Sequence, residues 1–136
     1  GANPSNTRQV TVSQPLKTTV LGAATVYGAT TGLAFGTAAI QLYVCRTTGE
    51  TARNLRASLG IAPGGSDTVI WTLMKSSDNG NTWANTALTC TITGAAFANS
   101  DATNSVALTA GDILALKAVS SAGTAAGAAA TFDVTQ

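Results

Sequence analysis

Few residues of this chain can do chemistry, and the best-ordered of them form one short run, SSDNGNTW, over residues 76–83. Its spacing, S-x-D-x-G-x-T-W, sets the hydroxyl of Ser76 ahead of the carboxylate of Asp78, then Gly80, Thr82 and Trp83. Such a set builds a turn. Asp78 accepts backbone N–H bonds, Gly80 supplies a positive φ, and Trp83 packs back over a hairpin. Hydrolysis asks for more. The chain has no histidine, so serine and cysteine triads, which need a base beside the nucleophile, are excluded. A Ser–Lys pair could draw only on Lys17, Lys75 and Lys117, none of them in a recognisable motif. Paired carboxylates for glycoside cleavage would have to come from Glu50, Asp67, Asp78, Asp101, Asp112 and Asp133. Each lies in or beside an expected turn or strand end, where such side chains bond neighbouring amides. Cys45 and Cys90 fit no zinc spacing. No catalytic residue, metal ligand or cofactor-binding residue is expected, and no cofactor.

The octapeptide is also the Asp-box pattern, familiar from the blades of sialidase propellers. A sialidase carries several copies and a set of arginines that binds the sugar carboxylate. This chain has one copy, and its four arginines, Arg8, Arg46, Arg53 and Arg56, form no such set. Ser76, Asp78, Gly80, Thr82 and Trp83 therefore read as a structural turn, with a carbohydrate-binding role for the Trp83 loop left as an alternative.

The elements around this turn read as short strands. Over residues 54–61, Leu55, Ala57, Leu59 and Ile61 interleave with Asn54, Arg56, Ser58 and Gly60, the period of two of a half-buried strand. The alternation returns at Leu88, Cys90 and Ile92, and at Val106 and Leu108. Residues 68–75 are apolar on both faces, with Val69, Trp71 and Leu73 on one and Ile70 and Met74 on the other. A strand of that kind is covered on both sides, so Ile70, Thr72 and Met74 are expected to meet a neighbouring subunit. Residues 76–85 and 94–103 read as polar loops, and residues 112–119 and the stretch around Thr131, Phe132 and Val134 as further strands. Cys90 shares the face of Leu88 and Ile92, while Cys45 is out of phase with Leu42 and Val44. Both are expected to be small buried hydrophobes, a disulfide being the lesser alternative. About eight strands with short connections predict an all-β fold, a two-sheet antiparallel jelly-roll sandwich. Residues 1–15, polar with two prolines, read as a flexible N-terminal arm, and residues 16–136 as a single sandwich domain.

Composition narrows the partners. Charged residues are only 10% of the 136, against about 25% in ordinary soluble proteins, and a surface so poor in charge is thinly protected against association. The net charge of +1 is spread singly, with no basic run or aromatic platform for nucleic acid. No apolar run approaches a bilayer span, so no membrane partner is expected. The opening residues, GANPSNTRQV, lack the basic and apolar regions of a signal peptide.

Residues 43–119 resemble a family of small domains encoded by tailed bacteriophages, similar in fold to the C1q and tumour-necrosis-factor jelly roll. The resemblance rests on ARNLRASLGIAPGGSDTVIWTLMKSSDNGNTW, TALTCTITG and SDATNSVALTAGDILALKAV. Residues 76–85 are longer than the short Asn-Gly turn of that pattern, and the segment before Ile40 has no counterpart in it. The resemblance implies a non-enzymatic homotrimer on the virion surface. A capsid decoration (cement) protein would clamp the major capsid protein, with the arm residues Asn3, Pro4, Arg8 and Val10 laid on the head. The alternative is a tail-fibre tip, a receptor-binding adhesin for a host glycan or protein.

Overall fold

The computed structural model describes residues 7–29 and 34–136. Among them nine strands run in chain order: β1 (Arg8–Ser13), β2 (Thr25–Tyr27), β3 (Tyr43–Val44), β4 (Thr51–Ser58), β5 (Thr68–Ser76), β6 (Ala84–Thr93), β7 (Ala98–Ala107), β8 (Ile113–Ser120) and β9 (Ala129–Thr135). One sheet has the order β1-β9-β4-β7 and the other β2-β8-β5-β6, with β3 also on β8. Every pairing is antiparallel. Apart from the β5–β6 hairpin, consecutive strands are not paired with each other, so the chain crosses repeatedly between the sheets, as in a jelly roll. The fold is the all-β, two-sheet antiparallel sandwich that the alternation predicts.

The core lies between the sheets and is filled by every second residue. Val12, Leu55, Ala57, Phe132 and Val134 from the first sheet meet Val69, Trp71, Leu73, Leu88, Ile92, Leu114 and Leu116 from the second, all buried. Each large side chain so buried contributes about 1.5–3 kcal/mol. The alternation of β4 is broken once. The register slips between Arg53 and Leu55, and Asn54 takes a positive φ of 57°. Ala52 and Leu55, three residues apart, consequently both face inward. Such a bulge re-aims the outward side chains as well.

Three expectations are revised. The stretch read as an arm is partly a strand, because Arg8–Ser13 pairs along its length with β9 and Val12 is fully buried. Arg8 and Val10 are therefore sheet residues, while Asn3 and Pro4 lie outside the described residues. The partner of β1 is some 120 residues away in the chain, so no local pattern announces it. The stretch read as a polar loop after Gly94 is largely β7, an edge strand whose residues are nearly all exposed. An edge has little core to face, and polar side chains along it discourage further pairing. Finally, β5 is apolar on its outer face chiefly because the chain covers it. Thr72 and Met74 are 8% and 7% exposed, beside the buried Ala115 and Ile113 of β8. Ile70, at 36%, remains open next to its cross-strand neighbour Val119 at 37%.

The edges β6 and β7, from different sheets, are stitched by side chains. Asp101 Oδ2 accepts the Thr89 N–H at 3.2 Å, and Asn99 Nδ2 donates to the Thr91 carbonyl at 2.7 Å.

Candidate functional site

The sharpest polar constellation is the turn joining β5 to β6. Asp78 Oδ1 accepts from the Ser76 hydroxyl (2.8 Å) and the Thr82 N–H (2.9 Å), and Oδ2 accepts from the Thr82 hydroxyl (2.6 Å). Ser76 Oγ in turn accepts the Gly80 N–H at 2.8 Å. The chain can reverse because Asn79 and Gly80 take positive φ, 64° and 86°. Trp83 is half-buried, its ring lying against Gly80. These bonds, the Thr82 hydroxyl foremost, hold the Asp78 carboxyl at about 2. Both oxygens are engaged within the loop, so the group serves the turn and is not poised for acid–base work. Lowered below its ordinary 3.8, Asp78 supports the turn at any pH above that value and ceases to as pH falls through about 2. Asp78→Ala is expected to leave the sandwich folded and to make residues 77–83 cleavable, as limited proteolysis at pH 7 would register.

Three further carboxylates are buried, Glu50, Asp101 and Asp112, the last accepting the Thr109 N–H at 2.9 Å. Glu50, 1% exposed, accepts from the Tyr43 hydroxyl (2.9 Å to each oxygen), the Arg46 N–H (3.0 Å) and the Arg46 guanidinium (3.0 Å). Burial pushes its carboxyl up, but the donors, including the Cys45 thiol, outweigh it and hold it at about 2. Asp101 is likewise raised by burial, and is brought to about 2 by the amides of Asn104, Thr103 and Thr89 and the Asn104 side chain. Cys45 and Cys90 are both free and buried. Burial first, then the Asp101 charge, pushes the Cys90 thiol up to about 11, and burial also raises Cys45. Neither is a ready nucleophile. Among the described residues no group of three or more Cys, Asp or Glu is placed to hold a metal ion.

What is left is surface. The outer face of the β1-β9-β4-β7 sheet holds a depression of about 470 Å³ that spans all four strands. Gln9 and Thr11 line it from β1, Thr131 from β9, Arg56 and Ser58 from β4, and Ser100 from β7. A second depression of about 290 Å³ continues it past Asn54, Asp101 and Asp133, sharing Gln9, Arg56, Ser100 and Thr131. No sequence pattern marks this arrangement, because its members come from four strands distant in the chain. Apolar side chains stand exposed elsewhere: Leu16, Val20, Val44, Ile61, Ile70, Phe97 and Val119. Val20 and Ile61 both bridge to Ala126, which gathers them at one end of the sandwich. Thus the structure leaves Ile70 at the surface, withdraws Thr72 and Met74, and concentrates Ser76, Asp78, Gly80, Thr82 and Trp83 in one turn.

No protein-family model matches the sequence, and no curated protein matches it. Solved structures do. Murine APRIL, crystallised at pH 5.0, superposes with a TM-score of 0.52 at 11% identity, over 95% of this chain and 100% of that one. The globular domain of zebrafish complement 1qA gives 0.48 at 14% identity, over 93% and 94% of the two chains. A chain of the naturally empty particles of cowpea mosaic virus gives 0.47 at 10% identity, over 100% and 85%. The likeness to APRIL extends over nearly the whole of both chains, and the sandwich described above is thus a C1q/TNF-like jelly roll.

Proposed function

We propose that this protein is a non-enzymatic virion structural protein, a head decoration (cement) protein that stabilises a phage capsid as a homotrimer. The observation that carries the reading is the surface of the jelly roll. Only 10% of the chain is charged, yet seven large apolar side chains stand exposed among the described residues. Scattered singly they would need no explanation; paired as Ile70–Val119, or gathered as Val20 and Ile61, on a surface short of charge, they favour contact with other chains. The sequence resemblance of residues 43–119 to phage domains supplies the virion and the major capsid protein as partner. Carboxylates and thiols tied into turns and core agree with a role that involves no turnover. Ile70, with Val119 rather than Thr72 and Met74, is the apolar contact we assign to the subunit interface on this sheet. The capsid contact is assigned to the segment that precedes β1, which includes Asn3 and Pro4, together with Arg8.

Light scattering on the purified protein is expected to give three times the chain mass of 13.5 kDa. Ile70→Asp is expected to shift that mass toward a single chain, and a solitary wild-type chain at micromolar concentration would overturn the trimer. Added to undecorated capsids, the protein should raise their melting temperature. Deleting residues 1–6 should weaken this binding while leaving the fold intact, whereas deletion through residue 15 would also remove β1 and the buried Val12. Binding to host cells that is lost in Trp83→Ala, with capsids ignored, would replace decoration by the adhesin reading.

A further inference from the structure

The bulge in β4 has an outward effect as specific as its inward one. In an unbroken strand, residues three apart face opposite sides. The slip at Asn54 instead sends both Arg53 and Arg56 to the outer face of the sheet, where both are exposed. A non-glycine residue held at positive φ is disfavoured and persists only where its surroundings determine it. Here the Asn54 amide donates to Asp133 Oδ2 at 3.1 Å, and Asp133 stands opposite Arg53 on β9. Asp101, at the far end of the smaller depression, is turned inward and already accepts four hydrogen bonds. Arg56 is the only charged residue lining the larger depression, and among the described residues its guanidinium has no ion pair or hydrogen bond. Around it stand short neutral donors and acceptors, Gln9, Thr11, Ser58, Ser100 and Thr131, on a floor of alanines.

We propose that this depression binds a carboxylate carried on an extended peptide, with the Arg56 guanidinium as the fixed charge and the surrounding hydroxyls and amides as its hydrogen-bonding rim. A guanidinium meets a carboxylate through two parallel N–H···O bonds, the strongest pairing available to a side chain. At about 470 Å³ the space is in the range of small-ligand sites. Its course across four strands suits an extended chain, and no aromatic ring lines it on which a sugar could stack. That the peptide belongs to a capsid protein rests on the proposed function; that the depression takes a carboxylate does not.

The test is an NMR titration of the isotope-labelled full chain with the peptide acetyl-Gly-Ser-Glu-Gly-Ser-Glu-Gly-Ser-amide, against the same peptide with glutamine for glutamate. Shifts are expected at Gln9, Thr11, Ser58, Ser100 and Thr131 with the glutamate peptide, and affinity should fall about tenfold or more for glutamine or for Arg56→Gln. Arg56→Lys should recover only part of it, since an ammonium cannot make the paired contact. Absence of shifts, shifts elsewhere, or equal binding by Arg56→Gln would overturn the proposal. So would preference for oligogalacturonate over the peptide. A fall in assembly mass of Arg56→Gln by light scattering would assign the depression to a neighbouring copy and overturn it as well. Capsid binding separates the two readings: wild type and Arg56→Gln binding capsids equally leaves decoration standing and removes the capsid protein as the source of the peptide, whereas failure of both overturns decoration and leaves the peptide titration to decide the site.

Discussion

Trp71→Ala is expected to lower the free energy of unfolding by about 3–5 kcal/mol, a large share of the roughly 5–15 kcal/mol that a domain possesses. Trp71 is fully buried at the centre of β5, with the Phe35 ring edge-on at 5.8 Å and 87°. Its removal leaves a hole that two sheets held by long ladders cannot collapse to fill. The more discriminating variant is Trp71→Phe. Among the described residues the indole Nε1 is buried without a hydrogen-bond partner, and such a donor costs about 1–3 kcal/mol in lost hydration. Phenylalanine gives up volume but also gives up that cost, so Trp71→Phe should cost less than half of Trp71→Ala in urea midpoint. Equal losses from the two variants would mean that Nε1 is hydrogen-bonded after all.

Glu50→Ala should cost about 2–4 kcal/mol, because part-buried donors lose a fully buried acceptor. Tyr43 Oη–H and the Arg46 N–H would both lose their acceptor, and the approach of residues 45–50 to β8 would loosen. Arg46, with its side chain 47% exposed, rehydrates and adds little. Glu50→Gln keeps the acceptor but not the charge and should fall between. The acid limb of the stability curve gives a second reading. The carboxyl titrates at about 2 in the fold against an ordinary 4.5. The folded form therefore holds its proton less tightly than the unfolded chain. The resulting stabilisation is complete above about 4.5 and disappears as pH falls through about 2. Subtracting the Glu50→Ala curve from the wild-type curve, by urea denaturation at each pH, should leave a difference that is constant above about 4.5 and shrinks only as pH falls from there through about 2. A difference independent of pH would mean that the charge plays no part.

Much of this architecture was legible in the chain because burial imposes a period of two. Val69, Trp71 and Leu73, and likewise Leu88, Cys90 and Ile92, declare their inward face by spacing alone, and the structure buries all six. The turn at Asp78 was legible for a different reason: all its partners lie within six residues, so sequence spacing is already spatial distance. What failed was non-local. Val10 and Val12 alone are too short a pattern to distinguish a strand from a tail, and only pairing with Phe132 and its neighbours makes β1. β7 carries a single inward residue before Val106, the polar Asp101, so hydrophobic spacing could not reveal it. Met74 read as outward and apolar, which is right as far as direction goes; its cover, however, is intramolecular. The Arg56 depression was invisible for the plainest reason. The alternation of residues 54–61 already turns Arg56 outward, but a change of phase at Asn54 cannot be counted from residue types, and it is what brings Arg53 to the same face.

The two sulfurs carry a consequence for how such a protein can be made. Neither Cys45 nor Cys90 is spent on a crosslink, and both are sealed in the core as protonated thiols. Maturation therefore requires no oxidant and no isomerase, and glutathione has no covalent bond to attack. Copies can accumulate in the reducing interior of a cell and keep the same durability once released into air, since nothing in the sandwich registers the change of redox potential.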